Sequence, residues 1–264
     1  QHMPPDVETQ SFSRRKLENF LDALEKRPPL QALTLTLGPG TSLNSLELRD
    51  PQQRLWLDEI RILAADRIVA SETGSVVFWS DLVKLTVIPP IPLNQDSRVG
   101  QVDTGPLRQL LRKEYTVGVV LLRLGRYSVG VFKGDSLLTS KTDTRYVKGR
   151  HRAGGTSQLR FQRIREKQIH EIFIKTCLMV SERFKPFEDA IDYIFLGGER
   201  HTLMNFLKKC PYLQRMESRI LKRILPTAEP GLRELERMPH EIWKSQVTIY
   251  HGLERTHCQG LGND

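Results

Sequence analysis

Apolar residues recur at helical spacing over Ser13–Arg27, where Leu17, Phe20, Leu21 and Leu24 share one side, and Pro28-Pro29 stops the pattern. The period then changes. Gln31–Leu37 alternates apolar and polar residues as a half-buried strand does, and Gly38-Pro39-Gly40 ends it. A second helix is expected over about Asp50–Ala70, followed by strands at Ser75–Trp79 and Leu82–Ile88. Trp56, Phe78 and Trp79 are most simply core. The Pro-rich run Pro89-Pro90-Ile91-Pro92 and the polar stretch up to about Pro106 read as a linker.

The second half opens as a β-meander. Thr116–Leu124, Tyr127–Phe132 and Ser136–Ser140 are separated by turn residues, Gly125-Arg126 and Lys133-Gly134-Asp135. A long helix is expected over about 157–181, with Ile169, Ile172, Phe173, Thr176 and Val180 on the side that would meet a sheet. Ile191–Leu196 reads as a buried strand. Helices are expected near 200–209, 212–224 and 230–245, then a last strand at Gln246–Tyr250. Gly197-Gly198 fits a tight strand-to-helix turn better than an anion site at a helix N-terminus. The expected organisation is an N-terminal α/β domain over 1–105, a mixed-sheet domain with long helices over 106–252 and a tail over 253–264. The fold class is therefore α/β (α+β).

Composition narrows the function classes. In 264 residues, 39% hydrophobic and 27% charged, there is material for a packed core. No run of about 18 apolar residues exists to span a membrane. Gln1-His2-Met3 reads as a cloning remnant rather than a signal peptide. Cys177, Cys210 and Cys258 are odd in number and far apart, so neither a disulfide framework nor a paired-cysteine zinc site is expected. A reducing compartment is the natural reading, with Cys177 buried and inert.

The net charge of +9 is unevenly spread: residues 1–112 carry −1 and residues 113–264 carry +10. Residues 145–167 alone hold Arg145, Lys148, Arg150, Arg152, Arg160, Arg163, Arg165 and Lys167 against a single acid, Glu166. Basic runs are often solvated faces. Charges this concentrated repel one another until a polyanion relieves them, which favours a phosphate-rich partner. Between the two cation clusters lie Ala153, Gly154 and Gly155, and Thr156 and Ser157 offer a cap to the helix that follows. Two adjacent glycines leave a loop tip adaptable. Arg160, Arg163 and Lys167 fall on one helical row, suited to tracking a phosphate backbone.

Within this segment, Gly154-Gly155 is followed by Gln158 and then by Leu159-Arg160-Phe161-Gln162-Arg163-Ile164-Arg165. From about residue 113 to 250 the chain resembles the central, catalytic domain of eukaryotic and archaeal class I translation termination factors. In those factors a Gly-Gly-Gln tip precedes Ser-Ala-x-Arg-Phe-x-Arg-x-Arg on a long helix. Here Thr156 and Ser157 separate the glycines from the glutamine, a spacing more similar to the Gly-x-x-Gln form of the Vms-like release factor family. The N-terminal half, with its Phe78-Trp79-Ser80-Asp81 and Val87–Leu93 segments, also looks like bacterial members of that group.

The resemblance implies a loop that enters the peptidyl transferase centre of the large ribosomal subunit. There it would free a stalled nascent chain from peptidyl-tRNA, in ribosome-associated quality control. It implies Gln158, Gly154 and Gly155 as the catalytic element. The RNA-contacting set would be Arg145, Lys148, Arg150, His151, Arg152, Thr156, Ser157, Arg160, Arg163, Arg165 and Lys167. No metal, no cofactor, no Ser-His-Asp set, no DNA partner and no membrane are expected, and the protein is expected to be a cytoplasmic monomer. A neutral amide is not a strong base, so Gln158 would position water and donate a hydrogen bond to an oxyanion. Two other outcomes fit the same residues: cleavage of the tRNA acceptor end, and a rescue factor whose loop only docks.

Overall fold

The computed structural model describes residues 7–144 and 156–251, apart from the side chains of 156–159. The chain divides into two compact units. One comprises residues up to Leu111 together with the segment from Lys244, and the other is Arg112–Trp243.

The first unit is built on a six-stranded sheet in the order β1-β11-β4-β3-β2-β5, antiparallel throughout. Its strands are β1 (Val7–Phe12), β2 (Leu33–Leu37), β3 (Ser75–Trp79), β4 (Lys84–Ile88), β5 (Ser97–Val99) and β11 (Ser245–Tyr250). Helix α1 (Arg14–Lys26) starts where Ser13 accepts the Lys16 N–H, and buries Leu17, Leu21 and Leu24. The expected second helix breaks at Ala64, whose φ of −121° leaves the helical region. The result is α2 (Pro51–Leu63) and a short α3 (Ala65–Val69). Trp56, Leu57, Ile60 and Ile68 from these helices cluster with Leu33, Leu35, Val77 and Trp79 on one face of the sheet. Helix α4 (Gly105–Arg112) is tied to α1 by Arg108, which donates to Asp22 at 2.6 Å and to Glu25 at 2.9 Å.

Two sequence expectations change here. The presumed linker is stitched into the first unit. β5 pairs with β2, Thr34 Oγ1 donates to the Gln101 carbonyl, and Asp96 accepts from the Gly38 N–H at 2.6 Å. The last strand also belongs to the first unit, lying between β1 and β4. The boundary is therefore at 111/112, not 105/106, and the second unit closes at 243, not 252. A strand's partner is a long-range choice that local pattern does not encode.

The second unit has a five-stranded mixed sheet in the order β10-β9-β6-β7-β8. β6 (Thr116–Arg123), β7 (Arg126–Lys133) and β8 (Ser136–Thr144) form the antiparallel meander, while β9 (Tyr193–Gly198) and β10 (Ile220–Leu225) add in parallel. Helix α5 (Thr156–Phe184) leads from β8 to β9. Helices α6 (Arg200–Leu207) and α7 (Pro211–Arg215) lead from β9 to β10. Ile172, Phe173, Val180 and Phe184 of α5 pack with Val120, Val129, Leu203 and Phe206. Gly118 of β6 is required for this: a Cβ there would stand 2.5 Å from the Phe184 ring. Gly197 and Gly198 are strand residues, and Gly198 at φ 135° leaves no room for a side chain against the Leu122 carbonyl.

The helix expected over 212–224 is instead α7, a short turn and the strand β10, since parallel pairing with β9 overrides an apolar run that suits either period. The region 230–245 holds two short helices, α8 (Leu232–Glu236) and α9 (Met238–Ile242). Pro239, which cannot continue a helix but readily starts one, lies in the first turn of the second.

Cys177 is not an isolated thiol. It forms a disulfide with Cys210, Cα atoms 5.3 Å apart, joining α5 to the residue that precedes α7. Closing a loop of 33 residues is worth about 3–4 kcal/mol in the chain-entropy account. Cys177→Ser is therefore expected to lower unfolding stability by about that amount in oxidising buffer and far less under reductant. Denaturant titrations in the two buffers check this. An equal loss in both would show that the sulfurs are not joined.

Candidate functional site

The predicted catalytic segment bridges β8 and α5. Arg145, Lys148, Arg150, His151, Arg152, Gly154 and Gly155 lie outside the described residues. So do the side chains of Thr156, Ser157 and Gln158, whose backbone forms the first turn of α5. Thr156 and Ser157 are thus first-turn residues rather than the cap that the sequence suggested. The first four N–H groups of a helix have no partner within it, and those of Thr156, Ser157 and Gln158 are among them.

Helix α5 has two unlike halves. From Arg160 to Glu171 no side chain is buried, and the first buried one is Ile172. Ile169, half-covered, is the first α5 side chain to pack against the core, so at 1.5 Å per residue the helix runs about 20 Å from Thr156 before it meets the core. Arg160, Arg163 and Lys167 are all exposed along this stretch, and Arg165 is half-buried. Phe161 is 39% exposed. Gln162 donates to Glu166 at 2.9 Å, one turn away. Residues 160–168 are mostly good helix formers, so the half without a core keeps its helix through propensity.

The other half is pinned. Lys175 forms an ion pair with Asp143, next to the last residue of β8, and both side chains are about one-third exposed. Thr176 Oγ1 donates to the Ile172 carbonyl at 2.7 Å. The Phe173 and Phe206 rings stand 5.7 Å apart, and the disulfide follows at Cys177. The sequence reading missed both the Lys175–Asp143 pair and the disulfide. No local signal marks either, since the partners are 32 and 33 residues apart.

The electrostatics of the exposed half are one-sided. Residues 112–243 carry +11 and the rest of the chain −2. The first turn of α5 holds no acidic residue. The positive end of the helix dipole therefore adds to the arginines instead of being offset. Tyr115 and Tyr212, both pushed up to about 12 chiefly by burial, stay protonated near neutrality and supply no base. Among the described residues no group of three His, Cys, Asp or Glu is placed to hold a metal ion. No helix among them is long and apolar enough to cross a membrane. The arrangement can present backbone N–H donors and a cationic row to a phosphate-rich ligand.

The second unit is thus a mixed sheet carrying a long, half-exposed basic helix. Residues 115–248 match the family model described as the Actinobacteria/chloroflexi VLRF1 release factor, and the chain belongs to that family. It is 32% identical over 152 residues to peptide chain release factor subunit 1 of Archaeoglobus fulgidus, covering 55% of this chain and 36% of that protein. It is 29% identical over 182 residues to the Thermococcus sibiricus protein of the same name, covering 64% and 42%. The chain thus spans about two-fifths of the length of these curated relatives. Among solved structures it matches the archaeal translation termination factor aRF1, with TM-score 0.37, 18% identity and 85% and 68% of the two chains covered. It also matches the Vms1 mitochondrial localization core, with TM-score 0.38, 13% identity and 77% and 86% covered.

Reversing Arg160 and Arg163 to Glu together is expected to weaken binding to tRNA and ribosomes. It should also make the dependence of log K on log[salt] shallower by about 0.7–0.9 for each phosphate that the variant no longer neutralises. Sedimentation or filter binding at several salt concentrations measures it. An unchanged slope would mean that these arginines do not meet phosphate.

Proposed function

We propose that the protein is a ribosome rescue factor that hydrolyses peptidyl-tRNA in stalled complexes, using Gly154-Gly155-Thr156-Ser157-Gln158 as its reacting segment. The observation that carries the reading is Gln158 in the first turn of α5, separated from the paired glycines by Thr156 and Ser157 and at the unpacked end of a cationic helix. Membership of a release factor family supports the same reading. The cations bind phosphates of ribosomal RNA and tRNA and so fix register without reading sequence. Gly154 and Gly155 let the backbone approach the tRNA end closely.

The reaction is hydrolysis of the ester between the nascent peptide and the terminal ribose. A water oxygen adds to the carbonyl carbon, the carbon–oxygen bond to the ribose breaks, and the ribose oxygen takes up a proton. Gln158 holds the water through its side-chain amide, and its backbone N–H donates to the developing oxyanion. The amide neither gains nor loses a proton near neutral pH, so Gln158 acts by position. Water, ester and N–H donors suffice for this chemistry without a metal or a cofactor. The two-residue separation of glycines and glutamine supports one second reading, in which the loop promotes cleavage within the tRNA acceptor end.

Gln158→Ala is expected to reduce peptide release from stalled large-subunit–peptidyl-tRNA complexes about 10²–10³-fold, the scale of losing one oxyanion donor, with ribosome binding retained. Release assays with labelled peptide measure it, and unchanged release with normal binding would remove Gln158 from the mechanism. Mass analysis of the tRNA after reaction separates the two chemistries. An intact 3′ end is expected, and a trimmed one would establish the second reading.

A further inference from the structure

Away from the basic half of α5, the second unit holds a groove of about 570 Å³ between α6, α7 and the face of β10. Ile220 and Ile224 of β10, only partly covered, line it together with Leu207 of α6. Met204 of α6 is 38% exposed beside them. On the opposite face of β10 the strand is held: Arg223 donates to the Ile242 carbonyl at 2.6 Å and lies over the Phe195 ring. The groove is an apolar floor on a fixed support.

Its rim is cationic. Arg200 and Met204 of α6 and Lys208, its C-cap, follow one another at i, i+4 and i+8. The two exposed cations are thus about 12 Å apart along the axis, with the apolar residue between them. Lys222 stands on the strand side, and Glu217 is the one acidic residue of the lining.

We infer that this groove docks an acidic, amphipathic helix of a protein partner. Strand addition is the poorer fit, although β10 has a single partner strand among the described residues. Between Ile220↔Ile194 and Ile224↔Leu196, four steps of β10 oppose two of β9, and Lys222 stands within that irregular stretch. An irregular, lysine-bearing edge is a poor template for pairing. A helix needs no backbone pairing. Its apolar residues at i, i+3, i+4 and i+7 fill the floor over Met204, Ile220 and Ile224, and carboxylates flanking that stripe meet Arg200, Lys208 and Lys222. The charge pattern selects the sign of the partner and the apolar centre supplies the affinity.

The test uses the intact chain and two fluorescein-labelled helical peptides with the same leucine stripe, one flanked by glutamates and one by lysines. Fluorescence anisotropy is expected to show saturable binding of the glutamate peptide, weakening as salt rises, and at least about tenfold weaker binding of the lysine peptide. Met204→Glu is expected to weaken the glutamate peptide about tenfold or more. The pair Arg200→Glu and Lys208→Glu should reverse the preference. All three positions are exposed, and thermal melts confirm that the variants fold. Absence of saturable binding by the glutamate peptide overturns the proposal, as does equal binding of both peptides or indifference to these substitutions. Saturable binding of laurate without peptide binding would assign the groove to an acyl anion and also overturn it. Peptide release measured on the same variants is expected to be unchanged, so failure here is distinct from failure of the hydrolysis reading.

Discussion

Helix α5 is buried over one half and solvated over the other, and that division organises the second unit. The buried half is held by Ile172, Phe173, Val180 and Phe184, by the Lys175–Asp143 pair and by the bond to Cys210. Because these anchors overlap within about three turns, neither the direction nor the rotation of the helix is free. A rigid rod fixed at one end carries that constraint to its other end. The first turn, with Gln158, is therefore placed by residues that lie more than about 20 Å away along the axis. This is why Gly118, a β6 residue remote from any chemistry, matters to the site: without its missing side chain Phe184 could not seat, and the rod would lose its lowest anchor.

The solvated half poses an electrostatic problem that the fold leaves unsolved by itself. Arg160, Arg163, Arg165 and Lys167 are spaced closely, with Glu166 alone among them, and the helix N-terminus adds its own positive end. In water the repulsion is screened and the helix survives on propensity. Burying this surface against protein would strand several charges, at a cost of several kcal/mol each. A phosphate lattice removes the problem at once, because every cation gains a counter-charge while the released small ions gain entropy. No side chain over 160–171 is buried, and under the proposed function that keeps the row open to RNA, since a core-facing side would take it out of reach.

Local elements were largely legible and long-range ones were not. The apolar stripe of α1, the meander of β6–β8 and the stripe from Ile172 to Val180 follow from periodicity and turn residues. Ile220–Leu225 misled because its doublets of apolar residues suit a helix as well as a strand, and parallel pairing with β9 decided the matter. β11 was recognised as a strand but placed in the wrong unit, since only tertiary pairing shows that it completes the sheet between β1 and β4. The cationic row of α5 stands exposed as its spacing suggested. The parts of the site that escaped sequence reading are its supports, Asp143 with Lys175 and Cys177 with Cys210, whose partners meet only after the sheet has formed.

For the proposed hydrolysis, these supports would let one small unit combine two demands that conflict. Close approach to a tRNA end asks for a backbone with little side chain, and glycine pairs are conformationally costly to order. Orienting a water to a fraction of an ångström asks for rigidity. Placing Gln158 on the first turn of the helix, beyond the glycines instead of beside them, assigns the two demands to different residues. In that proposal the glycines would confer reach, while Gln158 would take the stiffness of α5 and a backbone N–H without a partner inside the helix. The added Thr156 and Ser157 have a physical meaning on this account. In the proposed hydrolysis they would carry the reacting residue into the first turn of the helix, so that its position is governed by the anchored rod and by the sheet on which that rod rests.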